Sequence, residues 1–256
     1  MDYENEYVIE LINFLPLDIE DGKEFKFIAY HEKNIRKSLA NQLYQSAYIS
    51  CHMIFMYIIY SYVLRIRDKD LKKFTDLVLC LGDDNKKEWI TSNSPFIFSN
   101  YKEASILNFL FLLGVEKDHI NEYKSIIKYR NNILHATGEV MNNTLNEFNN
   151  KLKQLIKCLE HISLKTENET CYWLYTQFLN EYGRSDILLK EEEYESYINK
   201  NLIKKHHLSL FDMKKIAKIE YSEFVGFIYK KKFKLLVKYI NKKYPKIIQE
   251  THIILD

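Results

Sequence analysis

The sequence predicts an all-α protein, and its low glycine and proline content is the first reason. The 256 residues include only six glycines and three prolines, too few for the turns of a β-sandwich or the loops of a Rossmann-type fold. From Lys23 to Leu81 neither residue occurs, and apolar side chains recur at helical spacing. The length allows one large domain or two small ones with a substantial core.

Composition says little about partners. A formal net charge of +2 does not by itself indicate a ligand. The four cysteines lack the spacing of metal ligands, as does the pair His206-His207. We therefore expect reduced thiols, no metal and no cofactor. Residues 1–10 are acidic and polar, unlike a cleavable signal sequence, so we expect a cytoplasmic protein.

Residues 1–22 are predicted to form an N-terminal appendage on the main bundle. The apolar stretch from Tyr7 to Leu15 fits a helix or a short strand, which Pro16 and Gly22 would end. Helical sequence begins at Lys23. A polar run from Glu32 to Ser38 predicts a break there, with Ser38 capping the next helix.

A long helix follows and is apolar nearly all round between Ile49 and Leu64. A transmembrane span is the alternative to a central core helix. The run is shorter than 20 residues, is interrupted by His52 and Ser61, and carries tyrosines in its middle. A core helix surrounded by neighbours explains it better, and His52 is then a core or interface histidine.

Three further segments complete the first half. Asp68 to Cys80 reads as a short helix, and Ala104 to Leu113 as another that ends at Gly114. Between them, Gly82 to Asn100 is rich in turn residues and is a candidate lid or substrate-contact loop. Thr144 to Leu164 is strongly amphipathic, which favours core packing over a dimer seam.

The run from Lys117 to Gly138 predicts a helix that carries candidate functional residues. Its apolar stripe comprises Ile120, Tyr123, Ile126, Ile127, Ile133 and Leu134. Arg130 falls within that stripe, so we expect an anionic partner or ligand beside it. Asn131 and His135 are four residues apart and should share the flank of the same face.

These residue types suit phosphodiester chemistry. Arg130 offers a fork of donors that matches phosphate oxygens, and His135 can exchange protons near neutral pH. Asn131 can orient the histidine or hold a phosphate or ribose oxygen. The ordinary structural explanation is that Arg130 pairs with a carboxylate of a neighbouring helix and His135 is a polar residue of the last turn.

Arg130, Asn131 and His135, followed by a small residue and Gly138, resemble the signature of the HEPN superfamily (higher eukaryote and prokaryote nucleotide-binding domain). That signature is an arginine, a polar residue and then a histidine after four to six intervening positions. The resemblance covers residues 25–164. It implies a HEPN-like up-and-down helical bundle, here residues 23–164, with metal-independent endoribonuclease activity and a homodimer whose two motifs face each other.

In the mechanism we expect, a substrate 2′-hydroxyl attacks the adjacent phosphorus. His135 acts as general base or acid, and Arg130 stabilises the phosphorane; Asn131 orients His135 or binds the phosphate. A second His135 from the partner would supply the other proton. The resemblance implies a toxin or an antiviral abortive-infection effector acting on tRNA or mRNA. A subgroup carries a modified tyrosine two positions after the histidine, where this chain has Thr137, so a different inhibitor or antitoxin protein is expected.

Residues 165–256 form a predicted C-terminal helical extension that is acidic first and lysine-rich later. This separation of negative and positive charge along the chain fits either pairing between the two segments or a basic surface for RNA. The ordinary explanation is a lysine-rich helix face in contact with solvent. The candidate RNA-binding lysines are Lys128, Lys151, Lys230, Lys231 and Lys232.

Two alternatives to the ribonuclease remain open. A non-catalytic HEPN-like module would bind nucleotide, RNA or a protein partner through Arg130. A membrane-attached effector would use the apolar run from Ile49 to Leu64, although we expect no membrane partner.

Overall fold

The structure is a computed structural model, and its described part is all-helical. No strand occurs in that part, and one isolated antiparallel bridge joins Pro16 to Ser209. The prediction of an all-α protein is therefore confirmed. The described residues are 5–19, 22–80, 86–135, 140–141, 144–166, 170–219 and 230–244.

The chain divides into two compact units. Unit 1 comprises Met1–Phe14 with Ile19–Lys165, and unit 2 comprises Leu15–Asp18 with Thr166–Asp256. The boundary after Lys165 falls where the sequence changes from mixed to acidic composition.

Unit 1 is built from helices that carry the predicted motif. Their bounds are α1 Glu6–Ile12, α2 Lys23–Ala40, α3 Tyr44–Lys69, α4 Leu71–Cys80, α5 Lys86–Thr91, α6 Glu103–Ile106, α7 Lys117–Leu134 and α8 Leu145–Thr166, with 3-10 segments at Pro95–Asn100 and Leu107–Leu113.

Helix α3 lies at the centre of unit 1. It is long and apolar enough to cross a membrane by length and composition, yet nearly all of its apolar window is buried. Helix α2, α4 and the segments from Pro95 to Leu113 pack around it. This is the packing of a core helix, as its tyrosines and His52 predict.

Two local predictions for unit 1 are wrong. Helix α2 continues through Glu32–Ser38 and ends only at Ala40. Its end is closed by Gln42 in the left-handed conformation (φ 57°) and by the Leu43 amide, which donates to the Ser38 carbonyl at 2.8 Å. Ser38 is thus part of the end of α2 and does not cap α3.

The segment predicted as a lid is packed into the core where it is described. Trp89 and Phe98 are buried and their rings meet edge to face, 5.2 Å apart. Trp89 belongs to α5 and Phe98 to the 3-10 segment Pro95–Asn100. In segments this short the apolar residues show little helical periodicity, so the sequence resembled a loop. Residues 82–85 of the predicted loop lie outside the described residues.

Helix α8 packs against α7 in antiparallel orientation. Lys165 near the end of α8 contacts Glu116 at the start of α7, and Lys151 near the start of α8 contacts Tyr129 near the end of α7. The apolar pattern of α8 is buried, which confirms its core role; the fully buried members are Phe148, Leu152, Leu155, Leu159 and Ile162.

Unit 2 has a hydrophobic core of its own. Its helices are α9 Tyr172–Arg184, α10 Tyr194–Ile198, α11 Leu210–Ile216 and α12 Lys230–Lys243, with a 3-10 turn at Glu191–Glu193 and a π-helical turn at Asn199–Lys204. The amide of Leu17 donates to the Leu208 carbonyl at 2.9 Å. Leu15–Asp18 therefore belongs to unit 2. We expected all of residues 1–22 to pack on the first bundle.

Candidate functional site

Helix α7 ends earlier than its sequence predicts. Leu134 is its last residue, and His135 has extended backbone angles (φ −94°, ψ 160°). The His135 amide still donates to the Asn131 carbonyl at 2.9 Å. His135 is therefore the C-terminal cap residue of α7 and remains joined to the turn that contains Asn131. Its side chain is exposed, and Thr137 and Gly138 lie outside the described residues.

The apolar stripe of α7 is buried at five of its six predicted positions. Leu134 is the exception and is exposed, since it stands in the last turn where the helix leaves the core. The buried members are Ile120, Tyr123, Ile126, Ile127 and Ile133.

The anion expected beside Arg130 is a carboxylate of the same chain. Nη2 of Arg130 donates to Oε2 of Glu103 at the start of α6. Only 13% of the Arg130 side chain and 18% of that of Glu103 are exposed. Nε of Arg130 is buried and has no hydrogen-bond partner among the described residues. The ordinary structural explanation, in which Arg130 pairs with a carboxylate of a neighbouring helix, thus has Glu103 as its carboxylate.

His52 of α3 lies on the other side of Glu103. Its Nε2 is 3.6 Å from Oε2 of Glu103, and its side chain is fully buried. Burial lowers the pKa of His52, and the positive charge of Arg130 acts in the same direction against the opposing effect of Glu103. Burial also acts to raise the pKa of Glu103, but His52 and Arg130 together hold it below its ordinary value. Glu103 therefore remains a carboxylate between a guanidinium and a neutral imidazole.

Tyr129, the residue before Arg130 in the sequence, contacts α8. Its hydroxyl donates to Oε1 of Glu147 at 3.2 Å, and Nζ of Lys151 lies 3.8 Å from the centre of its ring. Lys151 is consequently held beside the residue that precedes Arg130. Lys128 is exposed on α7. These two candidate RNA-binding lysines belong to the same region of unit 1 as the motif.

Gln45 holds both ends of the short connection that contains His135. Its Nε2 donates to the Ile133 carbonyl at 3.3 Å, and its Oε1 accepts from the Met141 amide at 3.1 Å. This side chain of α3 therefore fixes where the chain leaves α7 and where it continues. Sequence reasoning missed Gln45, because no local pattern distinguishes it from other polar helix residues.

The three lysines at the start of α12 are in unit 2. The side chains of Lys230 and Lys231 lie outside the described residues. Nζ of Lys232 donates to the carbonyls of Tyr182 at 2.8 Å and Ser185 at 2.5 Å, at the end of α9. An ammonium group at this position adds a charged donor to the last carbonyls of the helix and interacts favourably with the helix dipole. Lys232 thus has a structural role besides the predicted RNA contact.

We predict that Lys232→Met lowers the free energy of unfolding by about 2 kcal/mol, because two carbonyls lose a charged donor. Lys234→Met, at an exposed position of the same helix, should change it by less than about 0.5 kcal/mol. Urea denaturation measures both. Unchanged stability of Lys232→Met, with weaker RNA binding than Lys234→Met, would assign the lysine to RNA instead.

Stability should also depend on pH through His52. Burial puts the folded-state pKa below the unfolded value of 6.5, so the unfolded chain binds the extra proton and stability falls as pH drops below 6.5. His52→Leu should make this decline shallower by about 1.4 kcal/mol per pH unit. Chemical denaturation between pH 7.5 and about 5 measures the slopes.

Phe55→Leu is the matched control, since its ring lies 5.8 Å from that of His52 and does not titrate. It should lower stability at every pH and leave the slope as in wild type. An identical slope in wild type and His52→Leu would show that the imidazole does not titrate on unfolding.

The structure thus brings Arg130 together with Glu103 and His52, and it leaves His135 exposed beyond the end of the same helix. Comparison of the chain with protein-family models, curated proteins and solved structures finds no match. The HEPN resemblance therefore stays a prediction that rests on the motif residues.

Proposed function

We propose that the chain is a metal-independent endoribonuclease whose site lies at the end of α7. The observation that carries this proposal is the exposed imidazole of His135 directly after the helix whose last turns hold Arg130. A histidine exposed in this way can exchange protons with a bound substrate. Lys128 and Lys151 supply positive charge in the same region, which favours an RNA backbone.

The proposed reaction is attack of a 2′-hydroxyl on the adjacent phosphorus, which yields a 2′,3′-cyclic phosphate and a 5′-hydroxyl. His135 removes the proton of the nucleophile or protonates the leaving oxygen, and Arg130 stabilises the negative charge of the phosphorane. Asn131 binds the phosphate. In a two-fold homodimer, His135 of the second copy performs the other proton transfer.

The ion pair with Glu103 sets a condition on this mechanism. A guanidinium has five N–H donors, and the contact with Glu103 engages Nη2. A phosphate must therefore use the part of the guanidinium that Glu103 leaves, or displace the carboxylate. We infer that Glu103 positions Arg130 and weakens its attraction for the substrate in the free protein.

The wider role rests on the HEPN resemblance alone. It extends the proposal to a cytoplasmic toxin or anti-phage effector that acts on tRNA or mRNA and is restrained by an inhibitor or antitoxin protein.

The buried Arg130–Glu103 pair favours a second candidate, a non-catalytic helical module. If Glu103 neutralises Arg130 permanently, the pair contributes packing only. Nucleotide, RNA or a protein partner would then bind through the exposed residues of unit 1.

Cleavage of labelled tRNA and mRNA in EDTA separates the two candidates. We expect wild type to cut, and His135→Ala to cut at least about 100-fold more slowly, since acid–base catalysis contributes about that factor. Arg130→Ala leaves Glu103 unpaired, so the double variant Arg130→Ala with Glu103→Gln is the safer test and should also lose cutting. Arg36→Ala removes an exposed arginine of α2 and is the matched control.

Three results would count against parts of the proposal. Cutting by His135→Ala at the wild-type rate would show that the site is wrong. Cutting by the folded double variant at the wild-type rate would remove Arg130 from the mechanism. No cutting by wild type on any RNA would favour the second candidate, which binding of RNA or nucleotide to wild type and the double variant would then test.

A further inference from the structure

A second cluster of chemically active side chains lies at the opposite end of α7. Glu116 immediately precedes the helix, His119 is in its first turn, and His161 comes from α8. One ligand atom of each side chain lies within 4.8 Å of those of the other two. The two imidazole rings are 4.2 Å apart between centroids.

We propose that Glu116, His119 and His161 form a binding site for a zinc ion. Two imidazoles and one carboxylate are a common set of protein ligands for zinc, with a water molecule in the fourth position. Bonds of about 2.1 Å in tetrahedral geometry place the ligand atoms about 3.4 Å apart. Glu116 and His119 are exposed, so small side-chain rotations can bring the three groups to that separation.

Tyr123 orients one of the three ligands. Nδ1 of His161 lies 2.5 Å from the hydroxyl oxygen of Tyr123, which leaves Nε2 for an ion. An outer contact of this kind fixes the ring orientation and tautomer of a metal-binding histidine. The exposed ring of His119 has an acidic neighbour in Glu122, with 3.6 Å between Nδ1 and Oε2.

Lys165 contacts the carboxylate ligand of this cluster. Lys165 donates to Oε1 of Glu116 at 2.9 Å, and its ammonium group competes with a metal ion for this carboxylate.

A zinc ion here would join α7 to α8 far from the proposed catalytic residues. Arg130 follows His119 by 11 positions, about 16 Å along a helix that rises 1.5 Å per residue. The zinc site is thus compatible with metal-independent cleavage at the other end. Sequence analysis missed it, because its ligands come from two helices and have no short spacing in the chain.

The test is a calorimetric titration of the EDTA-treated, dialysed full chain with zinc chloride. We expect one zinc per chain and a higher melting temperature with zinc than without it. His119→Ala and His161→Ala should each weaken binding at least tenfold. Glu160→Gln, which removes an exposed carboxylate next to His161, should bind as wild type does. Lys165→Ala should bind more tightly, because it removes the competing cation.

Two results would overturn the proposal. One is the absence of saturable one-to-one binding to wild type. The other is wild-type zinc affinity in His119→Ala. His119 is exposed, so we expect this variant to keep its fold. Its result therefore decides the matter if His161→Ala unfolds.

Discussion

The charge of Arg130 on the buried face of α7 is the constraint on which the arrangement of unit 1 depends. A guanidinium removed from water is costly unless an anion is held against it. Glu103 supplies that anion from α6, and His52 of α3 lies against the same carboxylate. Three elements far apart in the sequence are thereby coupled at one point, which also sets the orientation of the last turns of α7.

The same contact limits what Arg130 can do. A carboxylate that neutralises the guanidinium lowers its attraction for phosphate, while an unpaired buried guanidinium would destabilise the fold. The two histidines near this helix end differ accordingly. His52 is buried and favours its neutral form, whereas His135 is exposed beyond the helix. In the ribonuclease that we propose, proton transfer to a substrate is therefore the role of His135, and His52 is a buried neighbour of Glu103.

Periodicity was sufficient to predict the long helices α3, α7 and α8 and the buried faces of α7 and α8, and much of the site required tertiary contacts. The position of Arg130 within an apolar stripe predicted an anion, but 35 acidic residues offered no means of choosing Glu103. Gly138 suggested that α7 continues beyond Leu134, where it ends. A glycine near a helix C-terminus predicts the last helical residue only to within a few positions. Trp89 and Phe98 lie in short helical segments. These segments are too short for buried side chains to recur at helical spacing, so the sequence contains no periodic signal there.

The most direct test of this account is a double-mutant cycle on the central ion pair. Arg130→Met, Glu103→Gln and the double variant are compared with wild type by urea denaturation at pH 7.5. We expect the double variant to be more stable than the sum of the single changes predicts, by at least about 1 kcal/mol, because each single change leaves a charge unpaired. Additivity within about 0.5 kcal/mol would contradict the account, since it would show that the two charges do not stabilise each other.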